Sequence, residues 1–189
     1  MDRARVRERR REAMADHSYG VIRDKTLKLT VTSIFMAMNI VLSLSAFSVP
    51  VPGGHIYFCD VLINTAAMLL DPLSAFVVGG IGSFLGDFFF YPAPMFVSLV
   101  AHGLQAVVVS LVMRKGKGRP GPAGLGVILG SVIMVFVYTL GRAYVYATPE
   151  VAIIKLPFEC LQAGIGAAGS LMLVFPLHLK DMFFRSMNR

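Results

Sequence analysis

Polar side chains able to hold a small molecule recur at helical spacing inside the apolar segments of this chain. Tyr138, Arg142 and Tyr146 lie at i, i+4 and i+8, which puts them on one face of a helix. His102 and Gln105 lie at i and i+3, as do Glu159 and Gln162, and Asn39 stands alone in an earlier apolar run. These side chains supply several donors, several acceptors and two aromatic rings. That set suits a small polar ligand better than a reaction. No phosphate-binding loop, HExxH or GxSxG occurs, and no Ser or Cys near His102 in sequence suggests a triad, so no catalytic residues are expected. Cys59 and Cys160 lack metal-ligand spacing and both fall in apolar runs. Two buried free thiols are expected, with neither metal nor cofactor.

Each of these residues also has a purely structural use. Arg142 and Glu159 either neutralise each other across two helices or contact a ligand. His102 and Gln105 either fix helix packing or do the same. Asp60 and Asp87 fall near segment ends, where solvated or helix-capping carboxylates are expected. Tyr57 and Tyr146 suit an interfacial aromatic belt as well as a site. Depth separates the alternatives, and depth depends on the elements that carry the residues.

The chain is 56% hydrophobic and 15% charged, against roughly 45–50% and 25% for a soluble domain. Residues 29–113 contain no Lys or Arg. A water-exposed surface could not be covered that way, so lipid is the solvent. The net charge of +7 lies at the flanks of the apolar segments, as membrane topology requires, and argues against nucleic-acid binding. Six apolar segments can be marked, at about residues 27–47, 55–70, 73–90, 95–113, 125–146 and 157–179. They are separated by the Pro/Gly run at residues 48–54, Asp71-Pro72, Tyr91-Pro92-Ala93-Pro94, a basic flexible linker at residues 114–122, and Thr148-Pro149-Glu150. The second segment is short enough to be tilted or buried within the bundle.

The expected fold is therefore all-α, an integral membrane bundle of six transmembrane helices. A basic tail over residues 1–26 precedes the domain at 27–180, and a short tail at 181–189 follows it. With both termini cytoplasmic, sixteen of the 18 Lys and Arg residues fall on the cytoplasmic side, leaving Arg142 and Lys155 outside. In that topology His102, Gln105, Tyr138, Arg142, Tyr146, Glu159, Gln162 and Asn39 all lie in the outer half. The inner halves of the last three segments are almost wholly apolar. A cup open to the outside is expected, lidded by the loop that carries Pro50, Pro52, Gly53 and Gly54.

The run His55-Ile56-Tyr57-Phe58-Cys59-Asp60 leads to Ala66-Ala67-Met68-Leu69-Leu70-Asp71-Pro72-Leu73 and then to Gly79-Gly80-Ile81-Gly82-Ser83-Phe84-Leu85-Gly86-Asp87. Tyr91-Pro92-Ala93-Pro94-Met95-Phe96 and His102-Gly103-Leu104-Gln105 follow. Together these resemble the substrate-binding S component of energy-coupling factor (ECF) vitamin transporters, in the riboflavin-type and hydroxymethylpyrimidine-type branch. The resemblance implies a six-helix plasma-membrane protein that takes a vitamin from outside. Such a protein is the capture subunit of an ABC-type importer. It docks through a small-residue motif on its first span to a transmembrane coupling protein driven by two ATPases. Ser33 and Ala37 match that motif, with Ser in place of the first Ala, and Val41 departs from a further small-residue repeat. Ligand contacts would come from the first loop and spans four to six. Riboflavin, pyridoxine and hydroxymethylpyrimidine remain open as ligands. A self-contained secondary transporter, a small membrane enzyme and a purely structural subunit are the rival readings. The apolar inner half, the lack of an inverted repeat, the missing catalytic spacings and the clustered polar residues stand against them.

Overall fold

The computed structural model describes Ile22, residues 24–44 and residues 48–187. Most of the expected basic tail lies outside these residues. Among the described residues, five helices are long and apolar enough to cross a membrane: α1 (Lys25–Leu42), α3 (Pro72–Phe90), α4 (Met95–Lys115), α5 (Pro120–Tyr146) and α6 (Pro149–Val174). Between α1 and α3 lie a hairpin, β1 (Ser48–Val51) with β2 (Gly54–Tyr57), and a short helix, α2 (Cys59–Leu69). A last helix, α7 (Leu179–Met187), follows α6.

Five of the six expected segments are thus helices of spanning length, and the second is a short, buried helix. The 11 residues of α2 rise only about 16 Å. All of them but Val61 are buried, so α2 is the central post of the bundle and not a lipid-facing span. Cys59, Ile63, Ala67 and Met68 on α2 join Ala106, Val109 and Met113 on α4, Ala123 and Val127 on α5, and Val174 on α6 in one core.

Close approach of α3 and α4 depends on glycine. A Cβ on Gly79 would lie 2.7 Å from the His102 carbonyl oxygen and 2.9 Å from the Ala106 Cβ. Here α3 loosens into a π-helical stretch, Val77–Ile81. Asp71 starts α3, its carboxylate accepting from the Ser74 hydroxyl at 2.9 Å, with Pro72 in the first turn as its sequence predicts.

Three other boundaries move. The Pro/Gly run expected as an irregular loop forms an antiparallel hairpin, with Val51 paired to Gly54 across Pro52-Gly53. Gly53 has φ +81, a conformation that favours glycine. The basic linker shrinks to the turn Gly116–Arg119, because Pro120 is suited to the first turn of α5. Likewise α6 begins at Pro149, eight residues before the expected start, and carries Pro157 inside it. The charged side chains of Glu150 and Lys155 mask this first part of the helix in a hydropathy reading. The same helix ends at Val174 and not near Leu179.

One end of the bundle gathers the N-terminal part of α1, the turn between α4 and α5, and α7. The Lys180 ammonium donates to the Gly118 carbonyl at 3.2 Å, Phe183 packs against the cluster holding Val31 and Leu70, and Lys28 pairs with Asp71 at 2.7 Å. The hairpin and the polar residues occupy the opposite end.

Candidate functional site

Beneath the hairpin lies a cavity of about 170 Å³. The Arg142–Tyr146 π-helical end of α5 and the first turns of α6 form one wall. Asp87 at the end of α3 and His102 on α4 form another, and Gly53, Gly54, His55 and Tyr57 of the hairpin form the roof.

The i, i+4 spacing in α5 brings Tyr138, Arg142 and Tyr146 to the cavity together. The Arg142 guanidinium donates through both terminal nitrogens to the Glu159 carboxylate, at 2.6 and 3.3 Å, and sits 5.7 Å from the centre of the Tyr146 ring. Arg142 and Glu159 are both buried, so the pair neutralises two charges that would be costly singly. The Tyr146 hydroxyl is buried without a hydrogen-bond partner among the described residues, an acceptor and donor facing the same space.

His102 lines the cavity, with its ring edge-on to Tyr138 at 5.3 Å. Gln105 does not line it. This side chain sits one turn deeper and fully buried, with Nε2 donating to Asp60 at 3.0 Å and Asn64 at 3.2 Å, and Oε1 lying 2.8 Å from His102 Nδ1. Gln105, expected among the ligand contacts, lies behind His102 and outside the cavity lining. Asn39, also expected at the site, is likewise outside the lining. Its amide donates to the Val78 carbonyl at 2.8 Å and the Ser83 hydroxyl at 3.1 Å, so it joins α1 to α3 and stays out of the cavity. Of the four lid residues, Gly53 and Gly54 reach the cavity, whereas Pro50 and Pro52 shape the hairpin above it.

Three charged residues carry more of the site than their sequence positions suggest. Asp60 is not a solvated cap: it is 1% exposed and accepts from Gln105 and, at 2.6 Å, from Gln162. Gln162 in turn accepts from the Tyr57 backbone N–H at 2.9 Å, which fastens the hairpin to α6. Asp87 lines the cavity and accepts from the Ser98 hydroxyl, which itself receives the Tyr138 hydroxyl proton at 2.6 Å. Lys155, left aside by the charge count as an outer flanking residue, is 2% exposed and lines the cavity. Its ammonium donates to the His55 carbonyl at 2.6 Å. The missing signal was the start of α6: once the helix runs from Pro149, Lys155, Glu159 and Gln162 share one face. Burial pushes the Tyr57 phenol in the roof up to about 12, so it remains a neutral hydroxyl.

Cys160 is exposed among apolar side chains on the outer face of the bundle, which corrects the expected burial, while Cys59 is buried. Ser33 and Ala37 both lie on an exposed face of α1, beside Ile34, Met38 and Val41.

A helical membrane bundle with a polar cavity at one end is the architecture of a membrane binding subunit. Residues 23–179 match the family model of the ECF-type riboflavin transporter S component, and the chain belongs to that family. It is accordingly a multi-pass plasma-membrane subunit that binds a transported substrate, and not an enzyme. An uncharacterized protein of Pyrococcus woesei is 33% identical over 130 residues, covering 69% of this chain and 86% of the relative. The S component of a bacterial ECF transporter superposes with a TM-score of 0.70 over 82% of this chain and 97% of its own. At 16% identity this likeness speaks for the fold alone.

Proposed function

We propose that this chain captures a small water-soluble vitamin or vitamin precursor from outside the cell and hands it to an ATPase-driven coupling module. One observation carries the reading. The buried side chains of His102, Arg142, Lys155, Glu159 and Gln162 converge with Asp87 on a single cavity at one end of the bundle, roofed by a hairpin that is tied to the cavity wall. Beneath the Gln105–Asp60–Asn64 layer, α2, α4, α5 and α6 share an apolar core cluster, which suits a binding cup more than a continuous polar path. Arg142, Glu159, His102, Tyr138, Tyr146 and Gln162 supply the ligand contacts, and the Gly53-Gly54 turn closes over them.

The cavity end faces outward, and both termini with the turn at residues 116–119 face the cytoplasm, a sense supported by the distribution of Lys and Arg. The exposed Ser33 and Ala37 let a coupling-protein helix approach the backbone of α1 closely. Two measurements test this. Mass spectrometry of the protein purified from its producing cells should show one small vitamin-like molecule bound in stoichiometric amount. Ala37→Leu should keep that binding and abolish uptake by cells expressing the whole complex. Full uptake by Ala37→Leu would move the docking face away from α1.

A further inference from the structure

Among the charged side chains that line the cavity, Arg142 and Glu159 satisfy each other and leave two. Lys155 is buried with one hydrogen bond, to a backbone carbonyl, although an ammonium has three protons to give. Asp87 accepts from one neutral hydroxyl, although a carboxylate has about four acceptor sites. Neither is in an ion pair among the described residues. Charges in this setting are costly unless something else completes them. The stem of Lys155 is held in place, since a Cβ on Gly53 would lie 3.1 Å from the Lys155 Cβ. Lys155 belongs to α6 beneath the hairpin turn, Asp87 to the end of α3, and both open on the same space.

That space is small. A cavity of about 150 Å³ holds one benzene ring, and this one measures about 170 Å³. A tricyclic flavin with its ribityl chain exceeds it. One six-membered ring with short substituents fits.

Building on the capture role above, we infer that the ligand is a single-ring, dipolar heterocycle. It presents an oxygen or nitrogen acceptor, anionic or neutral, to Lys155 and an N–H or O–H donor to Asp87. The family's name does not carry over to the substrate of this chain. Tyr146, whose ring faces the Arg142 guanidinium and whose hydroxyl has no partner among the described residues, adds a third polar contact and a ring face.

Isothermal titration calorimetry on the full chain in detergent tests the assignment. The probes are pyridoxine, the pyridoxine analogue lacking the ring hydroxyl, hydroxymethylpyrimidine and riboflavin. At least one of pyridoxine and hydroxymethylpyrimidine should bind and riboflavin should not. Lys155→Met and Asp87→Asn should each weaken the bound single-ring probe about ten- to hundredfold, as for a lost hydrogen bond to a charged group. Should Lys155→Met fail to fold, the ligand series on the unaltered chain answers the same question for pyridoxine. Removing its ring hydroxyl should cost a similar factor. Tight riboflavin binding with neither single-ring probe bound would overturn the inference and leave the capture role standing. Single-ring binding unchanged in both variants would overturn the assignment of the two poles. No binding of any probe, together with no uptake of any by the assembled complex, would overturn the capture role and this inference together.

Discussion

At the scale of single residues, the site divides into groups that face the cavity and groups that hold them. Gln105 belongs to the second kind. Both ends of its amide are used, on Asp60, Asn64 and His102, and it is fully buried. Gln105→Ala leaves a buried carboxylate and an imidazole short of a partner. Thermal unfolding should therefore show a loss of roughly 1–3 kcal/mol, with weaker ligand binding as a consequence of a misplaced His102. A variant with unchanged stability but reduced affinity would return Gln105 to direct ligand contact. Sequence spacing grouped His102, Tyr138, Arg142, Tyr146, Glu159 and Gln162, which all line the cavity, because i+3 and i+4 repeats survive in any helix that spans the membrane. It could not separate Gln105 from His102. Both have the same spacing and similar chemistry, and only the approach of α2 decides which of them is walled off.

At the scale of elements, breaks were legible where proline or glycine imposes them and illegible where packing decides. Asp71-Pro72 and Tyr91–Pro94 end and begin helices as their residues dictate. The hairpin at residues 48–57 was hidden because a Pro/Gly run specifies a turn without specifying its partner strand. That pairing is supported by α6, through Lys155 and Gln162. The start of α6 was hidden by its own charges, and Lys155 was lost with it. Element packing also makes a sharp prediction at Gly79, where α3 lies against the backbone of α4. A methyl group there meets the His102 carbonyl oxygen, which as backbone cannot rotate away. Gly79→Ala should force α3 and α4 apart and cost about 1–3 kcal/mol in thermal unfolding, as overpacking does. Gly164→Ala, with open space around its Cβ, should cost nothing measurable beside it. Equal stability of the two variants would mean that α3 and α4 do not approach this closely.

At the scale of the whole molecule, the two ends differ in what holds them. The end away from the cavity is closed by contacts among α1, α3 and α7, with the Lys28–Asp71 pair at its rim. Burial works against the Asp71 carboxylate, but the Lys28 ammonium and the Ser74 hydroxyl outweigh it and hold its pKa below the ordinary value. A carboxylate depressed in the folded state binds its proton more weakly there than when unfolded. Its contribution is complete above the unfolded pKa, about 3.9, and is lost as pH falls through the lower folded value. Asp71→Asn should thus lower the melting temperature at pH 7, and the gap from the unaltered protein should narrow below about pH 4. A gap that stays constant to pH 3 would mean that Asp71 acts as a neutral cap alone.

Orientation is the remaining whole-molecule property, and the proposed sense rests on the distribution of Lys and Arg. The turn at residues 116–119 sits with α7 and the start of α1, so one experiment on that turn reports on the whole end. Arg119 is exposed there, and Glu150 is exposed at the opposite end, at the start of α6. In a Cys160→Ala background, Cys59 is buried and cannot compete for an impermeant maleimide. Glu150→Cys should label from outside intact cells, and Arg119→Cys should label only after the membrane is opened. Each substitution changes one charge among 18 basic and 11 acidic residues, too few to invert an asymmetry spread over both ends of the chain and the turn between α4 and α5. Labelling of Arg119→Cys in sealed cells would place the cavity on the cytoplasmic side. Capture from outside would then be impossible for this bundle, whatever ligand its cavity holds.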